Sequence, residues 1–148
     1  MDRFVIDTNI IYSAMISPYN PMPDFIYDKK RYGVNFYAPK YLAAEIEKYR
    51  HRIREKSQLT KDGFTRLRDR LYQEIEFIDD ALIPFEEWVT ALRIVRDIDP
   101  NDAAFVALNN LMNATLWTGD LKLYNGLTAK GYHQVITFRQ LTNRYKIR

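Results

Sequence analysis

Apolar positions recur along the chain with two periods, and their alternation predicts strands separated by helices. Phe4-Val5-Ile6 is a short continuous apolar run fit for a buried strand, and it meets the polar triplet Asp7-Thr8-Asn9. Any of those three residues can cap the helix that Ile10, Ile11 and Ala14 suggest. Pro18, Pro21 and Pro23 predict a loop ahead of a short segment around Phe25-Ile26-Tyr27, and Val34 to Ala38 reads as a second strand. Pro39 suits the first turn of a helix running to about Lys56, with Leu42, Ile46, Tyr49 and Ile53 as its apolar stripe. Thr60 is placed to cap a following helix whose stripe is Phe64, Leu67, Leu71, Ile75 and Ile78.

In the second half, Ala81 to Ile83 reads as a short strand ended by Pro84, and a helix is expected from about Glu86 to Arg96. Asp99-Pro100-Asn101-Asp102 starts another helix, with Phe105, Leu108 and Leu111 directed inward. Ala114 to Thr118 is a predicted strand ending at Gly119-Asp120; Gln134 to Ile136 is the last, and Thr137 caps a terminal helix. Strands alternating with helices, without repeats or linkers, predict one α/β domain over residues 1–148 with a parallel sheet. Sites in such sheets form beyond the carboxyl ends of the strands, which is where Asp7 and Asp120 fall.

Composition narrows the chemistry. Hydrophobic residues make up 47% and charged residues 28%, ordinary for a soluble protein, and there is no cysteine. Disulfides, thiolate metal sites and cysteine nucleophiles are therefore excluded. Any metal must be held by oxygen or by the two histidines, which favours hard cations such as Mg²⁺ or Mn²⁺. His51 and His133 read as surface residues. The net charge of +3 says less than its distribution: bases cluster from Lys48 to Lys56, at Arg66, Arg68 and Arg70, and again from Arg139 to Arg148. No apolar run is long enough to cross a membrane and no signal-peptide layout opens the chain, so a cytoplasmic protein is expected.

Each candidate acid has an ordinary reading beside a chemical one. Asp7 is a natural helix cap, though Thr8 and Asn9 are equally able ones. Glu45 borders the buried stripe of its helix, three residues after Leu42 and four before Tyr49; it can also reach solvent or pair with Arg52. Asp99 and Asp102 fit a capping box around Pro100, and Asp120 follows a glycine as turn aspartates do. Together the pattern is more specific than its parts.

Phe4-Val5-Ile6-Asp7-Thr8-Asn9, Tyr37-Ala38-Pro39 leading to Glu45, and Asp99-Pro100-Asn101-Asp102-Ala103-Ala104-Phe105 followed by Trp117-Thr118-Gly119-Asp120 resemble, in order and spacing, the PIN-domain nucleases. The resemblance implies a three-layer α/β/α sandwich around a central, mostly parallel sheet of about five strands. It also implies a catalytic and metal-binding set of Asp7, Glu45, Asp102 and Asp120, with Thr8, Asn9, Asp99 and Thr118 in support. Mg²⁺ or Mn²⁺ would be the cofactor and RNA the substrate, cut to 5′-phosphate and 3′-hydroxyl ends. One departure stands out: many members carry a further acid two residues after the fourth, and here that residue is Lys122. This would reduce the number of ions held or let Lys122 touch a phosphate; Arg52, on the side of its helix that carries Glu45, is a second nucleic-acid contact to expect. Small PIN domains include VapC-type toxins, silenced by an antitoxin and often homodimeric, and this chain is compatible with that role.

Clustered carboxylates are a chemical statement in themselves. Two like charges at about 4 Å repel by roughly 4 kcal/mol at an effective dielectric near 20, so a group of them takes up protons or binds a cation. A haloacid-dehalogenase-type phosphatase also opens with a strand ending in Asp, but it needs an acid where Asn9 stands. A receiver-type phosphoacceptor gives Glu45 no role. A PIN-like binding module without activity is the alternative outside enzymes.

Overall fold

The computed structural model describes residues 1–17 and 20–147. Its sheet has five strands: β1 (Asp2–Ile6), β2 (Val34–Pro39), β3 (Ile75–Ile78), β4 (Thr115–Trp117) and β5 (Val135–Ile136). Their order is β3-β2-β1-β4-β5 and every pairing is parallel. Parallel sheets need cover on both faces. Accordingly Phe4, Val5 and Ile6 are all buried, although alternate residues of a strand face opposite ways.

One face carries Phe4, Phe36 and Trp117. It is closed by Phe25 of α2 (Pro21–Tyr27) and by Phe138 of the terminal helix, whose ring stacks on Trp117 at 5.8 Å. Across β1, β2 and β4 on the other face lies a helix from Ala103 to Met112, backed by one from Phe85 to Val95. The arrangement is the expected three-layer sandwich. The chain builds outward from β1 to β3, then returns to the far side of β1 as β4. The strand order therefore reverses between β1 and β4, the position where open α/β sheets leave a crevice.

The helices are α1 (Thr8–Ile16), α2, α3 (Lys29–Tyr32), α4 (Tyr41–Lys48), α5 (Arg50–Ser57), α6 (Lys61–Tyr72), α7 (Phe85–Val95), α8 (Ala103–Met112), α9 (Leu121–Ala129) and α10 (Phe138–Tyr145). Several expectations need correction. Ile75 and Ile78 are not helical; α6 ends at Tyr72 and Ile75–Ile78 pairs with Phe36–Pro39 as β3. Two isoleucines at i and i+3 with Phe77 between them satisfy a helical stripe and a strand equally, and the exposed edge of β2 decides. The segment from Ala81 to Ile83 is no strand: Asp79 caps a single 3₁₀ turn, Asp80–Leu82.

Pro39 ends β2 instead of opening a helix, and α4 begins two residues later. The long helix predicted to Lys56 breaks at Tyr49, whose φ of −95° and ψ of 5° separate α4 from α5. Pro21 and Pro23 lie inside α2, where Pro21 takes the first helical position behind the Asn20 cap, and Pro18 lies outside the described residues. Leu111 is 38% exposed, not inward. The helix α9 was not anticipated. Thr137 does cap α10, in a capping box with Gln140. Among the described residues no helix is long and apolar enough to cross a membrane.

Candidate active site

Asp7 follows β1 directly and caps α1. Its carboxylate accepts from the Thr8 backbone N–H at 2.8 Å, the Thr118 hydroxyl at 2.7 Å and the Asn9 side-chain amide at 3.2 Å. Its capping role is therefore real, and the redundancy offered by Thr8 and Asn9 goes unused. Asp7 is nonetheless buried, and burial pushes its pKa from 3.8 up to about 6. The Thr118 and Thr8 hydrogen bonds pull the value back; the charges of Glu45 and Asp120 push it further up.

Thr118 joins the two sides of the crevice. Its hydroxyl donates to Asp7 and accepts from the Asp120 backbone N–H at 3.0 Å. Asn9 completes the link, accepting from the Gly119 N–H at 2.8 Å. A Cβ on Gly119 would come within 3.3 Å of Asn9 Oδ1, a tight contact beside that hydrogen bond. Asp120 in turn caps α9, accepting from the N–H groups of Lys122 and Leu123, both on Oδ1. Capping occupies one oxygen of this carboxylate.

Glu45 comes from α4 and is half-buried. The Thr8 hydroxyl donates to its Oε1 at 2.6 Å, and Arg52 makes no ion pair with it. Burial raises its pKa, with the Asp99 charge adding to the rise and the Thr8 bond and Lys48 opposing it.

Asp102 differs from the others. Asp99 alone caps the 3₁₀ turn Pro100–Asp102, accepting from the Asn101 N–H at 3.0 Å; Asp102 makes no side-chain cap bond. Its Oδ2 is buried without a partner among the described residues. Burial first, then the charges of Asp7, Asp99, Asp120 and Glu45, push its pKa from 3.8 to about 8. The other three expected carboxylates thus all act on Asp102.

These acids and Asp99 share a cleft of about 220 Å³ with Thr8 and Asn9, and Tyr12, Tyr49 and Arg52 complete its wall. Thr118 is fully buried, and the exposed Lys122 is not among the lining residues. The two tyrosines were not expected; the spacing of Tyr49 from Glu45 and Arg52, four and three residues, was the available signal. A larger cavity of about 730 Å³ lies between α2, α3 and α10, at the opposite ends of the strands, and holds none of these acids.

The cleft offers only oxygen donors, and a buried carboxylate oxygen without a partner is what a hard divalent cation satisfies. The acids spread around the cleft: among the described residues no three His, Cys, Asp or Glu side chains stand close enough to hold an ion as placed. The donor chemistry is of the kind such an ion takes, and Asp7, Glu45, Asp102 and Asp120 are the residues that could hold it.

No curated protein sequence matches the chain. Among solved structures, a chain of the VapBC2 complex from Rickettsia felis, bound to a DNA fragment from its promoter, superposes with a TM-score of 0.66. That match covers 91% of this chain and 96% of the other at 16% identity, so it shows a shared fold. The sequence model of the PIN domain matches residues 5–140, from within β1 to within α10 and through every residue of the acid cleft. The chain belongs to the PIN-domain family.

Proposed function

We propose that this chain is a metal-dependent endoribonuclease in which Asp7, Glu45, Asp102 and Asp120 are the catalytic carboxylates. The observation that carries the reading is Asp102 Oδ2, buried without a hydrogen-bond partner among the described residues beside four other acids. An acid raised to about 8 by burial and then by its neighbours' charges costs the fold stability at neutral pH, and a ligand that relieves it offsets that cost.

Mg²⁺ or Mn²⁺ held by the four carboxylates would supply positive charge against the phosphodiester and favour ionisation of the attacking water. Thr118 and Asn9 orient the Asp7 carboxylate, and the Thr8 hydroxyl holds Glu45 toward it. Asp99 stands in the same cleft as Asp102 and adds a further negative charge to it. The reaction is hydrolysis: the water oxygen bonds to phosphorus, the bond to the 3′ oxygen breaks and that oxygen takes up a proton, leaving 5′-phosphate and 3′-hydroxyl ends. Lys122, exposed two residues after Asp120 and outside the cleft lining, would contact a phosphate at its edge.

The fold shared with a chain of the VapBC2 complex supports a further step in the same reading: a toxin of a toxin–antitoxin pair, with an antitoxin protein as partner. Incubation with single-stranded RNA and Mn²⁺ or Mg²⁺ tests the activity, with a DNA flap substrate in parallel. Cleavage should be lost in EDTA and in Asp7→Asn and Asp102→Asn. The second variant guards against loss through unfolding, since Asp102 caps nothing. Cutting that survives chelation and both substitutions would sink the assignment. Binding without cutting would favour an inactive RNA-binding module.

A further inference from the structure

Two groups stand out among the basic side chains of α4, α5 and α6. Arg50 and Arg68 are engaged within the protein: both pair with Glu47 and both lie over the Phe64 ring. Arg54 donates to the Leu59 carbonyl. Lys48, Arg52 and Lys56 follow one another at four-residue steps, all three are exposed, and none forms an ion pair with a described residue. They lie instead on the two tyrosines of the cleft wall. Lys48 Nζ is 5.7 Å and Arg52 Cζ 5.5 Å from the Tyr49 ring centroid, and Lys56 Nζ is 5.7 Å from that of Tyr12. The two rings meet edge to face at 6.3 Å.

Cations beside an acid cluster would ordinarily neutralise it. Here Glu45 is bound by Thr8, and Arg52 rests on Tyr49, so positive charge stands beside the cleft without an ion pair to its described carboxylates. Alternating cations and aromatic rings suit a polynucleotide backbone with unpaired bases, since phosphates take the charges and any base can stack on a ring. A duplex leaves no base face free to stack.

We propose that Lys48, Arg52 and Lys56, with Tyr12 and Tyr49, form a track that binds a single-stranded stretch of RNA leading into the acid cleft. The track deepens the nuclease reading and rests on it for the direction of the strand, but it is measured by binding alone. The experiment is fluorescence anisotropy of an unstructured, labelled 12-nucleotide RNA in EDTA over a range of salt concentrations. Arg52→Ala/Lys56→Ala should weaken binding and lower the slope of log affinity against log salt by about 1.4, roughly 0.7 for each phosphate contact removed. Tyr49→Leu should weaken binding about tenfold with the slope unchanged, as loss of base stacking does. Lys30→Ala, exposed at the opposite ends of the strands, should bind as wild type does. Thermal melts establish that each variant is folded.

Unchanged affinity and slope in the double variant would overturn the track while leaving RNA cleavage untouched. A wild type that fails to bind the RNA, or that binds an equal length of duplex as tightly, would overturn it too. A protein that binds through these residues and never cuts would remove the nuclease reading and leave the track standing.

Discussion

Asp102→Asn should make the cation-free protein more stable at pH 8 and much less active. In the folded state burial and four neighbouring acids hold the Asp102 pKa at about 8, against an ordinary 3.8. Between those values the folded protein keeps a proton that the unfolded chain has released, so stability falls as pH rises from about 4 to about 8. Each tenfold change in proton affinity is worth about 1.4 kcal/mol, which for a fully buried, isolated carboxyl would reach roughly 5–6 kcal/mol. Asp102 is only partly buried and its neighbours titrate with it, so about 2–3 kcal/mol is the working figure.

Asparagine keeps the shape and removes the titration. Urea unfolding followed by circular dichroism in EDTA should find the two proteins within about 0.5 kcal/mol at pH 4.5. At pH 8 the variant should lead by about 2–3 kcal/mol. Mg²⁺ should then stabilise wild type more than the variant, because part of what the ion relieves has been removed. An equal difference at both pH values, or a variant less stable at pH 8, would refute the reasoning.

Asp99→Ala should destabilise by about 1 kcal/mol at pH 4.5, because it removes the cap from the Pro100–Asp102 turn, and by less at pH 8, where losing its charge also eases the rise of the Asp102 pKa; the same urea titration measures both. Thr118→Val keeps the volume but removes a donor to Asp7 and an acceptor for Asp120. It should raise the Asp7 pKa further above 6, shift the acid limb of the pH–rate profile upward and lower activity about 10- to 100-fold. Gly126→Ala tests α9 independently of any function. Its Cβ would lie 2.6 Å from Ile98 Cδ1, so a loss of about 1–3 kcal/mol is expected in thermal melts, and the same change should cost little when made in an Ile98→Ala background.

The layered fold was legible because β1, β2, β4 and the helices between them have unambiguous periods and bounded lengths. The failures cluster where short apolar segments satisfy both periods. Ile75 and Ile78 continue the α6 stripe on paper, and only the free edge of β2 makes Ile75–Ile78 a strand. The break at Tyr49 left no mark in the sequence, since neither glycine nor proline causes it. The helix α9 was missed because its start is written by Asp120, which had already been read as a turn residue, although that side chain is its cap.

That last confusion explains how much of the site local reading can recover. Asp7 and Asp120 are both helix caps and both members of the acid cleft, so a test that asks whether a carboxylate has a structural role cannot separate them. A carboxylate has two oxygens, and a cap uses one side of it. What discriminates is the residue left without structural work. The sequence offers Asp99 and Asp102 as two halves of one capping box. The fold uses only Asp99 and leaves Asp102 Oδ2 buried and unpartnered. Opposite signs are therefore expected for two acids three residues apart: losing Asp99 weakens the fold, and neutralising Asp102 strengthens it. A capping box would give both the same sign. The sign of the Asp102 effect thus tests whether that carboxylate is retained for something other than the fold.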